Sequence, residues 1–315
     1  MTQHPIAPSI PPSFRSDDNQ RTLETQGWVV VDLLPPGDVA ELGTFFATAA
    51  HRTASDAYDD TYAEFSVIHS RPLFRRAAFE RITKAAMPHL EPLLTDHRPL
   101  VANFVNKPCG TGVVPMHQNW SVVDEARFRS LSVWIALTDV GPDDGAMELV
   151  AGSHQRSREP RGMWAYEAFR DVDPSAAQSH LESVPVKAGQ AIILDDATIH
   201  YSAPNLGDRP RLAIQLIVVP CAAQPLFFQQ VAATDDGLEV DVWAVEERFF
   251  WDFWHGQGDA AFGTVVERRT VAHPKHHLVA GAETALSRDQ TGSRRRRRWM
   301  RWRRSSSSRG NTATS

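Results

Sequence analysis

Ser130-Leu-Ser-Val-Trp-Ile-Ala-Leu-Thr138 is the stretch whose reading decides the fold. Leu131, Val133, Ile135 and Leu137 alternate with Ser132, Trp134 and Ala136. That period of two belongs to an extended strand, which sends successive side chains to opposite faces. One face of this strand is aliphatic and the other is small or polar. The same division recurs in Arg211-Leu-Ala-Ile-Gln215, where Leu212, Ile214, Leu216 and Val218 oppose Arg211, Ala213 and Gln215. Strands of this kind suit a barrel with helices on its outside and a binding cavity within.

Outward from this stretch, short β-type runs stand at 100–106, 130–138, 146–150, 184–186, 190–194, 197–203 and 211–219, divided by turns rich in Gly, Pro and Asp. Regular short strands predict a mainly β sandwich or barrel. Before them, Gly27–Leu34 reads as a strand that stops at Pro35-Pro36. Asp38 is placed to cap a helix carrying Val39, Leu42, Phe45, Phe46 and Ala49, and a second helical region runs from about 75 to 94, interrupted by Pro88. Four segments result: a disordered Pro-rich arm over 1–20, a β domain with N-terminal helices over 21–222, an extension over 223–287, and a low-complexity tail over 288–315. The extension is aromatic-rich and predicted helical over 240–262, where Trp243, Phe249, Phe250, Trp251, Phe253 and Trp254 form core, a subunit contact or a substrate lid.

Composition bounds the function. The chain has 315 residues, 42% hydrophobic, enough for a sizeable core, which excludes wholesale disorder. Its net charge of −5 joins two unlike parts: ten arginines against Asp289 from Arg288 onward, a +9 tail, and 23 basic against 37 acidic residues before it, a −14 body. Cys109 and Cys221 lie 112 residues apart and read as small buried hydrophobes, so a disulfide scaffold is not expected and a cytoplasmic location is. No apolar run has the length of a membrane span, and the first residues do not read as a secretion signal. No GxGxxG in a βαβ setting points to a nucleotide fold.

The chemistry concentrates in two stretches, Pro115-Met-His-Gln-Asn-Trp-Ser-Val-Val-Asp-Glu125 and Asp195-Asp-Ala-Thr-Ile-His-Tyr-Ser202. Strand parity puts His117 and Asn119 on one face, and Thr198, His200 and Ser202 on another. Two imidazoles, one amide and Arg211 therefore converge on one cavity. Two His and a carboxylate on one face of a metal is the arrangement of non-haem Fe(II) oxygenases. A deeper Arg grips a dicarboxylate by two parallel hydrogen bonds better than Lys does.

The chain resembles the phytanoyl-CoA dioxygenase family of Fe(II)/2-oxoglutarate-dependent oxygenases over roughly residues 22–222. The likeness is densest in His117–Glu125, Ser132–Asp139, Asp144–His154 and His200–Arg211. It implies a double-stranded β-helix, the jelly-roll or cupin-like core, with flanking α-helices. It further implies that His117 and His200 bind iron, that Arg211, eleven residues after His200, pairs with 2-oxoglutarate, and that Trp134 and Ser202 line the cosubstrate pocket. Fe(II), 2-oxoglutarate and O2 are the implied cofactor and cosubstrates. The implied reaction is hydroxylation of a small metabolite with release of succinate and CO2.

One position departs from the family. His-x-Asp is usual, and here the third metal-ligand position is Asn119, which removes one negative charge facing a dication. Asn119 coordinates through its amide oxygen, or the site is impaired and the chain is a ligand-binding homologue, or the weak ligand yields its place, for example to a halide. Asp124 and Glu125 are read as structural rather than as replacement ligands, and His154 as a turn residue. Lys107 is either an exposed salt-bridging lysine or a contact for a carboxylate. Asn205, Arg209, Asp139, Asp143 and Asp144 read as turn organisers, and His273, His276 and His277 as a solvated loop. In the tail, Arg294–Arg298 and Trp299-Met-Arg-Trp-Arg-Arg304 form a charge-solvated appendage, or contact nucleic acid or an anionic surface.

Overall fold

The computed structural model describes residues 10–49, 63–69, 71–156, 158–162, 164, 169, 178–252 and 263–272. The alternation in the sequence becomes two facing antiparallel sheets. One contains β1 (Trp28–Asp32), β2 (Glu64–Phe65), β3 (His97–Lys107), β5 (Leu131–Ala136), β8 (Gln190–Asp195) and β10 (Arg211–Pro220), in the order β1-β8-β5-β10-β3-β2. The other contains β4 (Val114–His117), β6 (Met147–Val150), β7 (Leu181–Val184) and β9 (His200–Ser202), in the order β4-β9-β6-β7. Together they form the jelly-roll core of a double-stranded β-helix.

The two faces of each strand meet different partners, as their chemistry requires. Leu131, Val133, Ile135, Ile214, Leu216 and Val218 pack outward in one cluster with Leu42, Ile82 and Leu90 of the helices α2 (Pro36–Ala49) and α3 (Pro72–Leu90). Burying each such side chain contributes roughly 1.5–3 kcal/mol. Trp134, Ala136 and Ala213 face inward, packing with Ile192 of β8 and with Met147 and Leu149 of the opposite sheet. The small residues leave the interior open to polar side chains at one end.

Several boundaries differ from expectation. The solvated arm fails from residue 10 onward: Ser13 and Phe14 are buried, and Phe14 bridges Leu94. Gln20 Oε1 accepts the Ser13 and Phe14 amides at 2.9 and 3.0 Å, and Ser16 caps a helix α1 (Asp17–Gln26) that extends the ordered domain before residue 21. Residues 1–9 lie outside the described residues, as do 273–315 with the His273, His276 and His277 group and the tail. Helix α2 starts at Pro36 rather than after Asp38, because proline fits a first helical turn that needs no N–H. Pro88 does not interrupt α3, since it falls in its last turn. The run at 184–186 is displaced to β7, leaving Val186 in a lone bridge with Val140, and 197–203 contracts to β9 behind a turn closed by Thr198 N–H to Asp195 O at 2.8 Å.

The larger correction is in the extension. Instead of a helix over 240–262, β11 (Leu226–Thr234), β12 (Gly237–Val245) and β13 (Gly263–Val271) form a separate three-stranded sheet, and among the described residues nearby only Phe249–Asp252, α4, is helical. Leu238, Val240 and Val242 alternate with Glu239 and Asp241, a period of two that outweighs the aromatic content. Phe249 and Phe250 pack into a core cluster with Phe227. Residues 253–262 lie outside the described residues. Both cysteines are exposed, not buried, because they sit on turns flanking strands β3 and β10.

Candidate active site

β4 and β9 pair with His117 opposite His200, so the two imidazoles meet across one register position. Their ring centres are 4.1 Å apart and both residues are buried. His117 Nδ1–H donates to Pro115 O at 2.7 Å and His200 Nδ1–H to Thr198 O at 2.9 Å. A carbonyl only accepts, so each ring carries its proton on Nδ1 and its lone pair on Nε2. Burial lowers the pKa of His200 to about 4, and burial together with the neighbouring His200 holds His117 well below its usual value. Both rings are therefore neutral at neutral pH, with orientation fixed from behind, which is what a metal-binding imidazole requires.

Asn119 follows β4 and is buried beside this pair. Its Nδ2 donates to Ser132 Oγ at 2.9 Å and to Asp196 Oδ1 at 3.0 Å, and its side chain is also within hydrogen-bonding reach of the His117 ring. Ser132 Oγ donates to the same Asp196 oxygen at 2.7 Å. Burial raises the Asp196 carboxyl to about pKa 6, against the lowering effect of Ser130, Ser132 and Asn119. Among the described residues no three His, Cys, Asp or Glu side chains gather as a metal site.

A second group lies two residues along the same strand faces. Arg211 is buried, its guanidinium carbon 5.1 Å from the centre of the Trp134 ring, and its Nε has no hydrogen-bond partner. Loss of hydration lowers its pKa to about 9, with Asp144 acting to raise it, so it stays a cation at neutral pH. Lys107, on β3 opposite Arg211 in the sheet register, is fully buried rather than exposed. Its Nζ lies 2.5 Å from Ser202 Oγ, 2.5 Å from Ala203 O and 3.1 Å from Ser202 O. Burial, with Arg211 nearby, lowers its pKa to about 6. Ser202 Oγ donates in turn to Gly145 O at 2.7 Å. Gly145 has φ 68°, and a Cβ there would stand 2.4 Å from Ala203 O and 3.0 Å from Lys107 Nζ.

The remaining candidates hold the frame. Glu125 pairs with Arg161 at 2.5 Å, and Arg161 Nε donates to Asn119 O at 2.8 Å. Asp124 accepts the Ala126 amide at 3.2 Å. His154 is tied to Glu24 O at 3.1 Å, anchoring its turn to α1. Asn205 Nδ2 donates to Lys107 O and Arg209 O at 3.1 and 2.8 Å, while Asp139 and Asp144 accept turn amides of Ala188 and Gly141. Of the segments 50–75 and 155–180, which the sequence suggests as pocket-rim loops, much lies outside the described residues.

The residues that sequence reasoning missed are Asp196 and Ser132. The signal for Asp196 was Asp195-Asp196 itself, two acids ending the apolar run Ala191–Leu194. Ser132 was recognised as inward-facing, but no pattern showed which side chain it would hold.

Fold and side-chain arrangement define a double-stranded β-helix with a buried pair of neutral histidines and a buried arginine. The profile of the Phytanoyl-CoA dioxygenase (PhyH) family matches residues 23–213, and the chain belongs to that family. Over 109 residues it is 31% identical to phytanoyl-CoA dioxygenase domain-containing protein 1 of Bos taurus, covering 32% of this chain and 38% of that one. Over 128 residues it is 33% identical to the phytanoyl-CoA dioxygenase of Arabidopsis thaliana, covering 39% and 45% respectively. The chain thus spans less than half the length of these two relatives. Among solved structures, the non-heme alpha-ketoglutarate-dependent carbocyclase SnoK from nogalamycin biosynthesis aligns with a TM-score of 0.50 at 23% identity, over 67% of this chain and 86% of that one, which shows the fold. No described helix is long and apolar enough to cross a membrane.

Proposed function

We propose that this protein is an Fe(II)- and 2-oxoglutarate-dependent oxygenase that hydroxylates a small metabolite. The observation that carries the reading is the pairing of two polar ends on shared strand faces. His200 and Ser202 are two residues apart on β9, about 6.7 Å in an extended strand. One end has two neutral imidazoles and an amide; the other has Arg211 over Trp134, with Lys107 at hand. The residues fit the groups the family implies: neutral nitrogen donors for a first-row dication, and a buried cation with an unpartnered N–H for a carboxylate.

In this reading His117, His200 and Asn119 hold the iron, and Arg211 holds the far carboxylate of 2-oxoglutarate. Fe(II), when bound, supplies O2 activation coupled to oxidative decarboxylation of 2-oxoglutarate to succinate and CO2. The chain's own residues do the rest. Pro115 and Thr198 carbonyls hold the imidazole protons on Nδ1, so no proton has to leave the rings before they coordinate at neutral pH. The Trp134 face supports the Arg211 guanidinium, whose Nε has no hydrogen-bond partner to orient it. The buried setting keeps water from the cosubstrate's carboxylates.

Anaerobic addition of Fe(II) and 2-oxoglutarate is expected to give the visible charge-transfer band of the chelate, and admission of O2 to give succinate. Absence of both would sink the oxygenase reading. Asn119, being neutral, supports a second reading, a ligand-binding homologue without turnover. For that reading 2-oxoglutarate binds and O2 yields no succinate.

A further inference from the structure

We propose that Asp196 is a positioning residue for the metal site, and that Asn119 and Asp196 together replace one ligand carboxylate. Asn119 supplies the donor oxygen and Asp196 the negative charge. The inference rests on the metal-dependent reading above and extends it to a residue that reading does not use.

The hydrogen bonds around Asn119 run in one direction. Ser132 gives its only hydroxyl proton to Asp196 Oδ1 at 2.7 Å, so toward Asn119 its oxygen can only accept. Asp196 Oδ1 itself accepts from Asn119 Nδ2 at 3.0 Å. Both acceptors therefore claim the amide nitrogen, which leaves Oδ1 of Asn119 as the side chain's remaining donor atom for a cation. The main chain locks the same pair, since Asn119 N–H donates to Asp196 O at 3.0 Å. An amide whose N–H groups bond to a carboxylate is polarised toward its oxygen, which makes that oxygen a better ligand for a dication. The charge missing at residue 119 is thus present one amide further back, in a buried carboxylate.

A carboxylate placed at 119 would not simply repair the site. It has no N–H to offer, and it would face Asp196 across a contact now 3.0 Å long, setting two buried carboxylates against each other. Exchanging the two residues, however, restores one donor and one acceptor with the charge at the ligand position.

The test is Co(II) binding to the full chain, read by titration and by the visible d–d band, with thermal melts as a check on folding. Asp196→Asn is expected to weaken Co(II) binding about 10–100-fold and to shift the band, the usual scale for an outer partner of a ligand. Asn119→Asp alone is expected to bind no better than wild type, and the double variant Asn119→Asp/Asp196→Asn to recover at least wild-type affinity. If Asp196→Asn fails to fold, Asn119→Asp against the double variant makes the same discrimination, with the double variant at least about tenfold tighter. Wild-type affinity and an unshifted band in folded Asp196→Asn, or equal affinity of the single and double 119 variants, would overturn the proposal while leaving the oxygenase reading standing. No Co(II) binding by wild type would overturn both.

Discussion

The Arg211 guanidinium lies over the Trp134 ring, cation on β10 and ring on the neighbouring β5, with the buried Nε unpartnered. A desolvated cation–π contact is worth roughly 2 kcal/mol, less than the several kcal/mol that burying a charge costs. The cation is therefore held at a deficit that an anion would relieve. Arg211→Met is expected to raise the melting temperature of the ligand-free protein by about 2–4 °C and to abolish the further rise caused by 2-oxoglutarate. A thermal shift series with and without 2-oxoglutarate checks both signs; a ligand shift that survives the substitution contradicts the role.

Lys107 gives a pH-dependent counterpart. Burial lowers its pKa to about 6 from 10.5, so between these values the unfolded chain binds more protons than the folded one. Stability should then rise with pH across that interval, and Lys107→Met should flatten the slope. Arrival of a dicarboxylate beside Lys107 favours its charged form. Binding of 2-oxoglutarate at pH 7.5 is thus expected to take up to about one proton, measured by calorimetry in buffers of different ionisation enthalpy. Release of a proton, or none exchanged, would remove Lys107 from the cosubstrate's surroundings.

Gly145 lies where these groups meet. With φ 68° and a would-be Cβ 2.4 Å from Ala203 O, Gly145→Ala forces the backbone apart just where Ser202 and Lys107 are anchored. Urea unfolding is expected to show a loss of about 2 kcal/mol or more. Weaker 2-oxoglutarate binding should accompany it. A variant as stable as wild type would show that this turn accommodates a side chain.

Arg161 and Glu125 form a buried ion pair, with side chains 5% and 3% exposed. Arg161→Ala strands a buried carboxylate and is expected to cost about 3–5 kcal/mol. Adding Glu125→Gln should return part of that loss, because the stranded charge disappears. Denaturant titration of the single and double variants decides it: additive losses would mean the pair is not coupled.

Strand parity made most of the fold legible, because each core strand shows one aliphatic and one small or polar face. Trp134 and Ala136 turned inward as Ser130–Thr138 implied, and His117 came opposite His200. Parity stops at turns. Asp196 lies in one, between β8 and β9, so its place behind Asn119 depended on backbone geometry with no period to read. Lys107 was ambiguous for a related reason. Nothing in Asn106-Lys-Pro108 tells that three oxygens from the distant Ser202–Ala203 segment will surround the amine. In the extension, aromatic content suggests a helix, but the Leu238–Val242 alternation outweighs it.

Ser132 and Trp134 share one face of β5, as His200 and Ser202 share one face of β9. Each strand therefore carries one residue for each end of the site. A slip of either strand by a single residue would turn both inward positions out together. A register slip can reach the two ends only as a unit, whereas the connecting loops are free to vary without disturbing either. Change at the rim is thus open to this scaffold without any shift in the register that holds the two ends together.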